Sequence, residues 1–228
     1  MPDGVVKIAR EVVRYTILSH RWSDEEISFT DVQTGILHDK ALTSGRKKLE
    51  DFLDHSRNEY GIELGWADTC CIDKTSSSEL DESIRSMFRW YEKSSVCLVH
   101  LGETHTFEDL EHDVWFTRGW TLQELLAPKR IRFYNTDWVA QVTEIPLPNL
   151  KTRRFGIRAF RPGAWDVDRR MAWAANRHVT RGEDVAYSLM GVFDVSIITA
   201  YGEGQDRAFC RLIEAIMMAG GSPSILNW

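Results

Sequence analysis

The chain has 228 residues, 43% of them hydrophobic and 27% charged, with a formal net charge of −6. This composition is ordinary for a folded domain, and the acidic balance argues against general nucleic-acid binding, which needs a concentrated basic surface. No run approaches the roughly 20 apolar residues of a membrane helix, and the opening "MPDGVVKIAREVVRY" lacks a signal-peptide core; the expectation is a cytoplasmic protein without membrane contact.

In chain order, "YTILS" (15–19) reads as a first strand and runs out into Ser19-His20-Arg21-Trp22. The stretch from His20 to Thr43 is long for a simple connection, which predicts a functional loop or small extra elements. "GRKKLEDFLDHSRNEYG" places Leu49, Phe52, Leu53 and Tyr60 on roughly one helical face and stops at Gly61. "LGWADTCCI" (64–72) reads as a second strand ending at Asp73. Asp68 inside that run is costly unless a buried partner, an Arg or backbone donors, compensates it. "ELDESIRSMFRWYEKS" carries Leu80, Ile84, Met87, Phe88 and Tyr91 at helical spacing, with Ser77 or Ser78 available as cap. "SVCLVHL" (95–101) and "IRFYN" (131–135) complete the strands. Between them "RGWTLQELLAP" reads as a helix closed by Pro128, with Trp120 and Glu124 four residues apart on one stripe.

Alternating strands and helices predict right-handed crossovers and a parallel sheet covered on both faces. After Asn135 the pattern changes. Pro146, Pro148 and Pro162 break residues 140–165, and helical patterns resume near 169–176, 183–193 and 206–218. The expected organisation is one α/β domain over 1–228, with a βα core at 15–135 and a helix-and-loop part at 136–228 packed on it.

The four cysteines, Cys70, Cys71, Cys97 and Cys210, have neither the count nor the spacing of a disulfide framework or a zinc site, and buried free thiols are expected. His100, His105 and His112 fit no helical ligand pair, so no metal is expected. "RRFGIRAFRPG" (153–163) is locally basic and reads more readily as a solvated loop than as a phosphate site. "YGEGQDRAF" lacks the third glycine of a dinucleotide fingerprint and reads as a loop entering a helix.

Open parallel sheets bind ligands beyond the carboxyl ends of their strands. That rule selects Ser19, His20, Arg21 and Trp22 after the first strand, Asp73 after the second, and Trp120 and Glu124 on the helix after the third. Each has a plainer alternative: a surface loop for His20 and Arg21, a turn cap for Asp73, an exposed helix glutamate for Glu124.

Five blocks, "YTILSHRW", "WADTCCIDK", "ELDESIRSMFRWYEKSSVCLVHL", "WFTRGWTLQELLAPKRIRFYN" and "AYSLMGVFDVSIITAYGEGQDRAFCRLIEAI", resemble in order those of the fungal heterokaryon incompatibility (HET) domain. The resemblance runs from Tyr15 to Trp228. Arg21 and Lys74 depart from it, standing where a small or polar residue and a glutamine or asparagine are usual. HET domains trigger regulated cell death when unlike fungal cells fuse, and they are similar to TIR domains. Trp120-Thr-Leu-Gln-Glu124-Leu125 is similar to the TIR stretch whose glutamate is catalytic in the enzymatic members. The resemblance therefore implies a TIR-like (flavodoxin-like) sheet and cleavage of NAD at the nicotinamide–ribose bond by Glu124. It implies NAD or a related nucleotide as substrate, with no separate cofactor, and self-association on activation. Under it, Trp22 or Trp120 stack on a ring, and His20 and Arg21 meet phosphate or ribose oxygens. A signalling or assembly module without turnover, or action on another nucleoside, remain the alternatives.

Overall fold

The computed structural model of the chain describes residues 13–35, 43–106, 109, 112–139 and 160–222. Four strands, β1 (Tyr15–His20), β2 (Leu64–Trp66), β3 (Val96–His100) and β4 (Ile131–Tyr134), form one sheet in the order β2-β1-β3-β4. Every pairing is parallel, with Ser19 opposite Val99 and Val99 opposite Phe133. The direction of strand addition reverses between β1 and β3, the place where open parallel sheets leave a crevice.

Five helices precede or cross the sheet or begin the distal part: α1 (Phe29–Gln33), α2 (Ser44–Tyr60), α3 (Ser77–Lys93), α4 (Thr121–Leu126) and α5 (Val167–Ala174). α6 (Asp184–Tyr187), α7 (Met190–Phe193) and α8 (Gln205–Met218) follow. The long connection after β1 holds α1, closed at its start by a reciprocal Ser28–Asp31 capping box. α2 ends at Gly61, whose φ of 61° lets the chain turn left-handed. Ser76, rather than Ser77 or Ser78, caps α3: its hydroxyl accepts from the Glu79 backbone N–H. The predicted helix over 183–193 is two short turns, α6 and α7, that end at Asp194 with a positive φ.

Strand side chains alternate between faces, and the two faces carry separate cores. Ile17, Cys97, Val99, Ile131 and Phe133 pack with α3, α4 and the C-terminal helices, which add Met171, Phe193 and Leu212. Leu18, Val96, Leu98 and Tyr134 pack on the other side with Phe52 of α2, Ile27 and Trp138. The expected helix-and-loop part therefore lies on the α3–α4 face.

One strand is shorter than its apolar run suggests. β2 ends at Trp66, and Ala67 O accepts from both Cys70 N and Cys71 N, so "ADTCC" is a buried turn. An edge strand paired only along Tyr15–Ile17 has no partner beyond Trp66, while a folded-back turn still buries Ala67, Cys70 and Ile72. The cysteines also divide: Cys70 and Cys97 are buried, Cys71 and Cys210 exposed, which corrects the expectation that all four are interior. No helix among the described residues is long and apolar enough to cross a membrane. The basic stretch lies outside the described residues up to 159, as do the break at 140–159 and the opening twelve residues.

Candidate functional site

α4 is buried on all sides: Thr121, Leu122, Gln123, Glu124, Leu125 and Leu126 are all interior. Glu124 is 7% exposed. Its Oε2 accepts a 2.5 Å hydrogen bond from Ser19 Oγ at the carboxyl end of β1. The Trp115 indole N–H donates to the same Ser19 oxygen at 2.8 Å. An indole nitrogen can only donate, so Ser19 accepts from Trp115 and spends its own hydrogen on Glu124. A short 3₁₀ turn at Val114–Thr117 presents Trp115, and edge-to-face contacts with Phe116 and Phe133 hold the ring.

Burial drives the Glu124 carboxyl up to about 7, and the negative charge of Asp68 adds to it; Ser19, Arg118 and the Tyr91 hydroxyl pull the other way. Glu124 therefore changes charge near neutral pH. Asp68 stands in the turn after β2, and its Oδ2 accepts from the Trp22 indole N–H at 2.9 Å. The compensating partner of this acid is an indole, neither the arginine nor the backbone donors that the sequence suggests.

The other selected residues divide between directions. Ser19 and His20 are adjacent in an extended strand, so their side chains leave opposite faces. His20 is 5% exposed on the α2 face, with Nε2 3.6 Å from Glu26 Oε2. There Glu26 forms a buried ion pair with Lys48, which also donates to Arg21 O at 3.1 Å. Burial alone would raise the Glu26 carboxyl, but His20 and then Lys48 outweigh it and hold it well below the usual range. Arg21 is on the surface, paired with exposed Glu103. Trp22 is 43% exposed, and the Lys74 ammonium sits 3.7 Å from its ring centre. Asp73 closes a turn, accepting from Thr75 N at 2.9 Å and the Thr75 hydroxyl at 2.6 Å. Trp120, though one helical turn before Glu124, sends its indole N–H to Asp184 Oδ2 at 3.1 Å, and Tyr201 donates to the other oxygen at 2.8 Å. The structure thus joins Ser19 with Glu124 and Trp22 with Asp73, and separates His20, Arg21 and Trp120 from both.

The model of the family described as "Heterokaryon incompatibility protein (HET)" matches residues 15–108. The chain is also 39% identical over 227 residues to the vegetative incompatibility protein HET-E-1 of Podospora anserina, a match covering 89% of this chain. The chain belongs to the HET family. It spans 16% of the length of that relative. No solved structure matches it.

Hollows open among the described residues of this HET chain, and a pair of them bears on the site. One, of about 240 Å³, is walled by Trp22, Phe29, Ile72, Asp73 and Lys74, with Glu26 at its edge. The other, of about 280 Å³, lies between Gly119, Met171, Arg177, Leu189 and Phe209. Glu124 lines neither. Asp68 links the Trp22 side to Glu124, since it holds the indole and raises the carboxyl. Sequence reasoning missed Asp68, Tyr91 and Trp115 as members of this cluster. Asp68 was within reach of the carboxyl-end rule had β2 been ended at Trp66; Trp115 and Tyr91 carry no local signal, because any core aromatic reads the same way. Among the described residues no group of three or more His, Cys, Asp or Glu is arranged to hold a metal ion.

Proposed function

We propose that this HET chain is a cytoplasmic effector domain of incompatibility cell death that cleaves NAD between nicotinamide and ribose, with Glu124 as its catalytic carboxylate. The observation that carries the reading is Glu124 itself: an acid 7% exposed, held by Ser19 at the carboxyl edge of a parallel sheet, titrating at about 7. The strand order β2-β1-β3-β4 supports a TIR-like, flavodoxin-like layout, and the name of the relative supports the incompatibility role.

The chemistry suits one carboxylate. Nicotinamide leaves from NAD as a neutral molecule from a cationic precursor, so its departure needs no general acid. The ribose left behind becomes oxocarbenium-like, and a fixed anion in a nearly dry site stabilises that charge. Ser19 and Trp115 hold the carboxylate in one orientation. Substrate reaches it from the hollow beside Trp22 by parting the Trp22–Asp68 contact, and Trp22 then offers its face to a ring. Arg21 would have to leave its exposed pair with Glu103 and swing toward the hollow to meet phosphate. Self-association on activation would open and then seal this path.

The test is a nucleotide panel with product analysis at high protein concentration, comparing wild type with Glu124→Gln. Turnover should fall on the order of 10²-fold or more while binding changes less, the pattern of a lost transition-state contact. A folded Glu124→Gln variant with full activity overturns the assignment. A second reading, a signalling module without turnover, draws on the burial of all six α4 residues. It predicts that forced assembly of the wild type yields no nicotinamide from NAD.

A further inference from the structure

The turn after β2 carries two adjacent thiols that the proposed reaction does not use. Cys70 Sγ and Cys71 Sγ are 4.0 Å apart. Cys70 is buried at 8% exposure, while Cys71 is exposed. The Ala67 backbone N–H points to Cys71 Sγ at 3.5 Å, and Ala67 O in turn holds both cysteine N–H groups. The pair sits two and three residues beyond Asp68, which anchors Trp22. We propose that Cys70 and Cys71 form a peroxide-responsive vicinal disulfide that reshapes the Trp22–Asp68 turn.

The two sulfurs have different roles. Cys71 is the attacking thiol because it meets solvent and its anion is favoured first by the Cys70 S–H and then by the Ala67 N–H; that hydrogen bond lowers Cys71 and raises Cys70. The Cys71 thiolate attacks one oxygen of a hydroperoxide, the O–O bond breaks, and the remaining oxygen leaves as water or an alcohol after taking up a proton. Cys71 is then a sulfenic acid. Cys70 sulfur attacks Cys71 Sγ, the S–O bond breaks, and hydroxide leaves with the Cys70 proton as water. Two thiols have been oxidised by two electrons and one hydroperoxide reduced. No second oxidant is needed, and the resolving thiol is already in contact.

Closing the bond brings the sulfurs from 4.0 Å to about 2.05 Å. Adjacent cysteines cannot do this without rotating the peptide between them, so the Cys70 and Cys71 hydrogen bonds to Ala67 O must change. Asp68 lies inside that turn, and the Trp22 contact moves with it. The device stands on this geometry and does not depend on NAD being the substrate.

The experiment treats the folded 228-residue chain with hydrogen peroxide, then measures intact mass and peptide connectivity under denaturing, alkylated conditions. The expected result is loss of two hydrogens and of two of the four thiols, mapped to the Cys70–Cys71 peptide and reversed by dithiothreitol. Cys71→Ser should abolish the loss, Cys210→Ser should leave it intact, and Cys70→Ser should leave a sulfenic acid on Cys71 that dimedone traps. Oxidation that persists in folded Cys71→Ser, that requires Cys210, or that leaves Cys71 as a thiol in the wild type overturns the proposal.

Discussion

The raised Glu124 carboxyl acts in opposite directions on stability and on the proposed reaction. Its folded carboxyl titrates at about 7 against a usual 4.5, so the folded chain keeps a proton that the unfolded chain has released between those values. A raised acid contributes fully to stability below 4.5, and that contribution is lost as pH rises toward 7. The loss is on the order of 3 kcal/mol for a shift of this size. Glu124→Gln cannot ionise, so its thermal midpoint should exceed that of the wild type at pH 8 and approach it near pH 4. Equal midpoints at pH 8 would mean the carboxyl titrates normally. The same residue, as the anion the proposed reaction needs, makes turnover rise with pH through about 7. Ser19→Ala removes the hydroxyl that donates to Oε2. It should move that rise to higher pH and lower stability by roughly 1.5–3 kcal/mol, as for a lost hydrogen bond to a charged group. A pH profile unchanged in Ser19→Ala would separate the serine from the titration.

At the scale of elements, periodicity and caps decide what the residues can form. α3 has its apolar positions at 84, 87, 88 and 91 all buried, as helical spacing requires. Its cap shows how boundaries shift: three successive serines compete, and Ser76 wins because its extended backbone points the hydroxyl at the Glu79 N–H. Ser76→Ala should cost about 1 kcal/mol, read as a lower denaturant midpoint at constant slope, whereas Ser78→Ala should cost less. Elements also explain the division of the candidate site. Ser19 and His20 cannot share a pocket because strand geometry sends them to opposite faces. The helical stripe joining Trp120 to Glu124 is real in spacing, yet Trp120 stands at the helix start and turns toward Asp184. β2 reads too long because a buried turn and a buried strand have the same composition.

For the whole molecule, the α3–α4 face of the sheet is completed from far along the chain. Met171, Phe193 and Leu212 are each 0% exposed there. Arg170 ties the region together from beneath, donating to Val192 O at 2.6 Å and Arg161 O at 2.8 Å. Each large apolar side chain uncovered costs about 1.5–3 kcal/mol, so a few exceed a typical domain stability of about 5–15 kcal/mol. A chain truncated after residue 139 should therefore show no cooperative unfolding transition and should bind an apolar dye. A truncated chain that melts cooperatively would make the βα core independent of the remainder. The hollow at Gly119, Arg177 and Phe209 is walled mainly by the C-terminal part, with Gly119 contributed by the βα core.

What the amino-acid sequence determined alone is the alternation of strands and helices, the α/β class, the apolar face of α3 and the end of α2 at Gly61. These follow from local physics: side-chain period and capping chemistry. Tertiary structure decided the rest. It chose β2-β1-β3-β4 among the possible orders, placed Ser19 and Trp115 on Glu124, brought Asp68 close enough to raise it, and turned His20 and Trp120 away. None of these can be read from a linear pattern, because each depends on which face a residue leaves and what arrives opposite it from about a hundred residues away.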